Sequence, residues 1–317
     1  MILVVSPAPP DSPTGNGVTA RRWAGHLRSL GHRVSLAQGY GGGRYDLLLA
    51  LHARKSAEAV RRFHADHPRA PVVIALTGTD LYPDLRTAGV DPAVLQIAAR
   101  LILLQPLGVG QLDTGLRDRA VVIVQSVPAI RRRPAVPGRF EAVVLAHLRP
   151  VKDPLLAARA VALLPAGSRV AVTHLGAAMD DDLAEAASAE SAANPRYQWL
   201  GPRSRQEALA VLARSQLLII SSRHEGGANV VSEALAAGTP VLGSAIPGTV
   251  GLLGGQYPGY FPPGDAGSLA KALDAAEHDR DGYYTALRRH CSALAGMVSP
   301  ERERQSWAEL LAGLGLG

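Results

Sequence analysis

Apolar residues in this chain gather in short unbroken runs rather than in alternating or heptad patterns. Ile2 to Val5, Val34 to Ala37, Asp46 to Leu51, Pro71 to Leu76, Arg100 to Leu104 and Val121 to Val124 form one series. Glu141 to Ala146, Arg169 to Leu175, Tyr197 to Trp199, Leu217 to Ile220 and Val241-Leu242 form a second. Unbroken runs of this kind are what a parallel strand shows when helices cover both of its faces. Between them lie stretches of helical periodicity: Ala20 to Leu30 closed by Gly31, Ser56 to His64, Leu155 to Leu164, one from Arg205, and one from about Asn229 stopped by Gly238 and Pro240. Leu269 to Ala276, Tyr283 to Leu294 and Arg302 to Leu311 complete the helices. Strand and helix in alternation predict an α/β fold built from two parallel-sheet halves. Val127 to Gly138 carries three prolines, the run Arg131-Arg132-Arg133 and no periodicity, so the linker is placed there. The expected domains are therefore 1–133 and 138–299, with 300–317 returning to the first.

Length agrees, since 317 residues exceed one core of usual size. No apolar run approaches the ~18 residues of a membrane span. The opening Met1-Ile2-Leu3-Val4-Val5-Ser6-Pro7 reads as a strand rather than a signal peptide, which makes the cytoplasm the expected location. Cys291 is the one cysteine, excluding an internal disulfide and a cysteine-cluster metal site. Arg288, Arg289 and His290 beside it offer thiolate stabilisation, while a late surface helix accounts for it more simply. A net charge of +6 and a pI near 9.8 suit an anionic ligand, an anionic surface or plain arginine richness. Aromatics at 4% argue against nucleic acid. Asp180-Asp181-Asp182 fits the first turn of a helix better than a metal site, and no metal or cofactor is expected.

The most informative stretch runs from Ser221 to Leu242. A strand leads into Glu225-Gly226-Gly227-Ala228, then into a helix from Asn229 and Val230. Gly226 and Gly227 would let backbone approach a ligand closely, and the free N–H groups of the helix start favour a phosphate. Glu225 and Glu233 cannot share a helix face, one preceding the helix and one lying inside it. They suit hydroxyls at the two ends of a nucleotide sugar rather than a paired acid/base device. A surface loop with Asn229 as N-cap is the plainer alternative.

Other strand ends carry polar groups. The long loop Pro7 to Gly17 ends in Gly15-Asn16-Gly17, placed just before a helix, and could cradle a second phosphate; a flexible turn is the alternative. His52 follows its strand directly and should point toward the same place. The basic helix after it, with Lys55, Arg61 and Arg62, is either a solvated face or a membrane-surface contact. Strand four is followed by Thr77-Gly78-Thr79-Asp80. The second half opens with a strand and then His147, Arg149 and Lys152, where a lysine near a helix start works against the dipole. Gly201 follows a short strand, and Ser244 to Gly254 reads as another glycine-lined loop.

Glu225 and Glu233 resemble the Glu-x7-Glu signature of retaining, family-4-like glycosyltransferases. That resemblance implies the GT-B fold: two Rossmann-like parallel-sheet domains facing across a cleft. It implies Glu225 beside the donor sugar, the Asn229 and Val230 amides on the diphosphate, Glu233 on the ribose, Lys152 on the phosphates and the Gly201 turn against the uracil. The family's arginine five positions before the lysine is His147 here, so Arg149 is the stand-in. The family's histidine beside the reacting centre is replaced by Thr77. A hydroxyl acceptor benefits from a base, whereas a soft anionic nucleophile needs none.

The resemblance narrows further. Val4 to Pro10 with Gly15 to Ala20, Ala50 to Ser56, Ala75 to Tyr82, His147 to Arg149, Glu225 to Val231 and Tyr257 to Phe261 resemble the selenosugar synthases of bacterial selenoneine biosynthesis, over most of the chain. Membership would imply selenophosphate and a UDP-sugar (UDP-N-acetylglucosamine or UDP-glucose) as substrates, with UDP and phosphate released. The product would pass to a later enzyme of the pathway. Catalytic roles would fall to Lys152, Glu225 and Arg149, and the acceptor to Gly15, Asn16, Gly17, His52, Thr77, Gly78, Thr79 and Asp80. No nucleic acid, stable membrane insertion or metal is implied. A conventional transferase acting on a hydroxyl and a non-catalytic nucleotide-sugar binder remain the alternatives.

Overall fold

A computed structural model describes residues 1–9, 12 and 14–317. Pro10, Asp11 and Pro13 of the first loop lie outside the described residues. The chain divides into two compact units. The first holds Met1–Ser126, Glu225–Asn229 and Pro300–Gly317; the second holds Val127–His224 and Val230–Ser299.

The first unit is built on β1 (Ile2–Val5), β2 (Val34–Ala37), β3 (Leu47–Leu51), β4 (Val72–Leu76), β5 (Arg100–Leu103) and β6 (Ala120–Val122). All are parallel, in the order β2-β1-β3-β4-β5-β6. Successive side chains leave opposite faces, so one apolar run feeds two cores. Leu48, Ala50 and Ile74 join Phe63 and Val94 on one face. Leu47, Leu49 and Val73 join Trp23, Leu27 and Trp307 on the other. Trp23 and Trp307 meet edge to face at 5.1 Å, tying the helix Pro300–Ala312 to the helix Gly15–Ser29.

That second helix corrects an expectation. It starts at Gly15 instead of Ala20, so Gly15-Asn16-Gly17 is its first turn and not a loop before it. Glycines read as loop punctuation, but a Cβ on Gly17 would come within 2.5 Å of the Ser12 carbonyl oxygen. Close packing, not flexibility, accounts for the glycine there.

The second unit repeats the plan with β7 (Phe140–Leu145), β8 (Val170–Leu175), β9 (Tyr197–Trp199), β10 (Leu217–Ile220), β11 (Val241–Ser244) and β12 (Tyr260–Phe261). These are again parallel, ordered β12-β11-β10-β7-β8-β9. Residues 123–137 form no helix or strand, yet they are not loose. Ile130 N donates to Ala236 O at 3.1 Å, and Arg132 donates to Ser215 O and Thr239 Oγ1 at 2.9 and 2.7 Å.

Two further readings change. Ser244 to Gly254 contains the helix Pro247–Leu253, begun by a proline and by buried Thr249, whose hydroxyl donates to the Ser244 carbonyl. Cys291 is buried rather than on a surface helix. Its thiol donates to Tyr257 Oη at 3.4 Å, and burial pushes its pKa up, against any reactive thiolate. Among the described residues no helix is long and apolar enough to cross a membrane.

Candidate functional site

Strand order in the second unit reverses between β7 and β10, and ligands of open α/β sheets bind outside the carboxyl ends of strands at such a point. The loop leaving β7 forms a tight turn, Pro150–Lys152, closed by Asp153 in a left-handed conformation at φ 40°. The end of β10 holds this turn. Ser221 Oγ donates to the Lys152 carbonyl and Arg223 N to the Val151 carbonyl, both at 2.8 Å. The Arg223 guanidinium also pairs with Asp153 at 2.9 Å. Lys152 is thus fixed beside the strand that leads to Glu225. The following helix begins only at Leu156, so the dipole cost expected for Lys152 does not arise.

His147 Nδ1 accepts from Ala177 N at 3.0 Å, leaving its proton on Nε2. Burial, then the Lys152 and Arg149 charges, lower its pKa. It is a neutral donor and no replacement for an arginine, so the cations of this loop are half-buried Lys152 and exposed Arg149. Gly201 is left-handed at φ 69°, and its carbonyl accepts from Gly176 N at 3.0 Å. Trp199 Nε1 donates to the Gly176 carbonyl at 2.9 Å, stitching the turns after β8 and β9 together. Glu233 is buried and accepts from Arg205 at 2.8 Å. Arg205 opens a helix whose start is set by a Ser204–Glu207 capping box. Nothing local in the sequence marks Arg205 as Glu233's partner.

In the first unit, the segment Glu225–Asn229 packs on the ends of β4 and β5. A Cβ on Gly226 would stand 2.6 Å from Gly78 Cα and 2.7 Å from the Thr77 carbonyl carbon. One on Gly227 would stand 2.5 Å from Leu104 Cβ. Gly226 is glycine because backbone lies against backbone, and Gly227 because the Leu104 Cβ lies over it, so packing alone demands both glycines. Ala228 is buried, and Asn229 Oδ1 accepts from Arg22 NH1 at 3.2 Å. Val230 begins the second unit's share of the helix Asn229–Ala237.

Asp80 is fully buried and accepts from Ala53 N, Thr77 N and Gly78 N at 2.8, 2.9 and 2.8 Å. It fastens the loop after β3 to the loop after β4 instead of facing a ligand. His52 is likewise buried, with φ 70°, a conformation that is costly for a side chain of this size. Its Nε2 lies 3.1 Å from Thr79 Oγ1 and its Nδ1 3.7 Å from Asp80 Oδ2. Burial is the main cause lowering its pKa. Thr79 is exposed, and Thr77 and Gly78 are partly so. His52 thus reaches Thr79 from the strand next to the one that Thr77 follows. Only strand order, invisible along the chain, makes that possible.

The family model for glycosyl transferases group 1 matches residues 127–294, just over half of the chain. The chain belongs to the group 1 glycosyl transferases. D-inositol 3-phosphate glycosyltransferase of Mycobacterium marinum is 31% identical over 256 residues, 74% of this chain and 54% of that protein. The enzyme of the same name from Mycolicibacterium smegmatis is 28% identical over 204 residues, 63% of this chain and 42% of its own. The chain spans about half the length of these curated relatives. Among solved structures, HepE of Anabaena in complex with UDP and glucose has TM-score 0.78 at 17% identity, covering 98% of this chain and 99% of its own. Sucrose-phosphate synthase of Thermosynechococcus elongatus has TM-score 0.79 at 14% identity, covering 99% and 98%. These likenesses establish the GT-B fold.

This group 1 glycosyl transferase has His147, Arg149, Lys152, Gly201 and the stretch Glu225 to Glu233 inside the matched region. Gly15 to Gly17, His52 and Thr77 to Asp80 lie outside it. Among the described residues no group of three or more histidine, cysteine, aspartate or glutamate side chains is placed to hold a metal. Asp180 caps its own helix, accepting from Leu183 N at 3.0 Å.

Proposed function

We propose that this chain takes a UDP-sugar as donor and selenophosphate as acceptor, forming a carbon–selenium bond. The observation that carries the donor half is the Lys152 turn, held by Ser221 and Arg223 at the strand-order reversal. There the Lys152 side chain, on a backbone held in place, with Arg149 and the amides of Asn229 and Val230, suits a departing diphosphate, where charge stabilisation yields most of the rate. Glu233, oriented by Arg205, takes the ribose, and Glu225 the sugar. UDP in the HepE crystal structures supports uridine as the base.

For the acceptor, support comes from the first turn of the helix Gly15–Ser29 and from exposed Thr79 on the loop after β4. Selenium attacks the anomeric carbon as the bond to UDP breaks. Water then attacks phosphorus, phosphate leaves and the selenolate remains. No oxidant or reductant is needed. On this reading the enzyme works in the cytoplasm and hands its product to an enzyme that forms a further carbon–selenium bond.

A hydroxyl acceptor is the second reading, favoured by one observation: His52, through Thr79, supplies the base that Thr77 lacks. UDP release from UDP-N-acetylglucosamine, with and without selenophosphate, separates the two. Release that depends on selenophosphate, with a selenosugar detected by mass spectrometry, is the expected result. Release that ignores selenophosphate but follows an added alcohol favours the second reading, and UDP-sugar binding without release leaves a non-catalytic binder.

A further inference from the structure

Glu303 lies outside every motif of the nucleotide site, on the helix Pro300–Ala312, and is 2% exposed. Its carboxylate accepts from Arg22 Nε at 3.0 Å, Trp23 Nε1 at 2.6 Å, His26 Nε2 at 3.1 Å and Ser126 N at 2.9 Å, and from the Ser126 hydroxyl. Docking a helix needs no such set, since the Trp23–Trp307 contact already buries it. The arginine explains the excess. Arg22 spends its Nε on Glu303 and extends NH1 to Asn229 Oδ1 at 3.2 Å. A carboxamide whose oxygen is held this way cannot flip, and its Nδ2 is turned toward Gly15, 3.8 Å from where a Cβ would stand. Asn229 is also the residue at which the helix Asn229–Ala237 begins.

We infer that Arg22 and Glu303 are positioning residues of the nucleotide site: the carboxylate aims the guanidinium, the guanidinium fixes the Asn229 side chain, and the helix start is thereby held ready for a diphosphate. This rests on the donor reading above. All three residues belong to the first unit, as does the Glu225–Asn229 part of the signature, whereas Val230 to Glu233 belong to the second. A guanidinium fork serves two acceptors at fixed angles, which a lysine ammonium on a flexible stem does not.

The test is UDP binding by calorimetry to the full chain, with Arg22→Lys, Asn229→Ala and the double variant. Arg22→Lys keeps the charge facing Glu303, so it preserves the fold, and thermal unfolding checks this. Each single change should weaken UDP by about tenfold, the worth of one charge-assisted hydrogen bond. The double variant should be no weaker than about threefold beyond either, because the second change removes nothing the first left standing. Arg22→Lys that binds UDP like wild type, or that only lowers the unfolding temperature, overturns the inference. Losses that multiply to about a hundredfold overturn it too, as they describe independent contacts. Wild type that binds no UDP overturns the donor reading as well and is distinguished by being seen before any variant is made.

Discussion

Glu303→Gln offers the sharpest quantitative check on the electrostatics of the first unit. Burial alone would raise this carboxyl's pKa, but the His26 hydrogen bond, the Arg22 charge and the Ser126 donors outweigh it, taking the group from 4.5 to about 2. A folded pKa below the unfolded one means stability that is fully present above about pH 5 and lost as pH falls toward 2. The difference corresponds to about 3 kcal/mol. Glutamine keeps the shape but turns an amide toward donors, adding a cost that does not depend on pH. The assay is urea unfolding from pH 7 to pH 3 in a Trp199→Phe background, where Trp23 and Trp307 report the first unit alone. Wild type should exceed Glu303→Gln by about 3 kcal/mol or more at pH 7, and that gap should shrink steadily below pH 5. A gap that stays constant down to pH 3 would refute the reasoning, because the lost stability would then not be charge-linked.

Three further outcomes follow from the geometry. Lys152→Ala should lower turnover by about a hundredfold with unfolding unchanged, measured as UDP release; near-normal turnover removes Lys152 from the site. Gly226→Ala should destabilise the first unit by about 1–3 kcal/mol, since the added carbon meets the Thr77–Gly78 backbone and not a flexible side chain. An unchanged urea midpoint would show that the loop yields freely. His174, between Tyr197 Oη at 2.8 Å and the Ala146 carbonyl at 2.9 Å, is pushed by burial to about 4. Unfolded chain takes up that proton near pH 6.5, so the second unit should lose about 3 kcal/mol between pH 7 and pH 4. Trp199 fluorescence reports it, and the same loss in His174→Gln would assign it elsewhere.

Sequence alone decided whatever depends on neighbours a few residues apart. Apolar runs such as Leu47–Leu51 declared strands buried on both faces. Gly238, left-handed at φ 64°, ended its helix as expected, and Asp180 capped the helix Asp181–Ala193 from the position its type predicts. The stretch from Glu225 to Glu233 carried the family resemblance, and the family match covers it. Tertiary structure decided the partners. Which carboxylate is buried, that Glu303 holds Arg22 and Glu233 holds Arg205, and that Gly226 lies against Gly78 all depend on strand order and helix docking. Asp80 shows the difference most clearly: it looked like a ligand contact and instead fastens two loops, because three backbone N–H groups converge on its carboxylate only once β3 and β4 are side by side. Residue type and short spacing report local conformation, whereas a buried polar group is defined by what long-range packing brings to it.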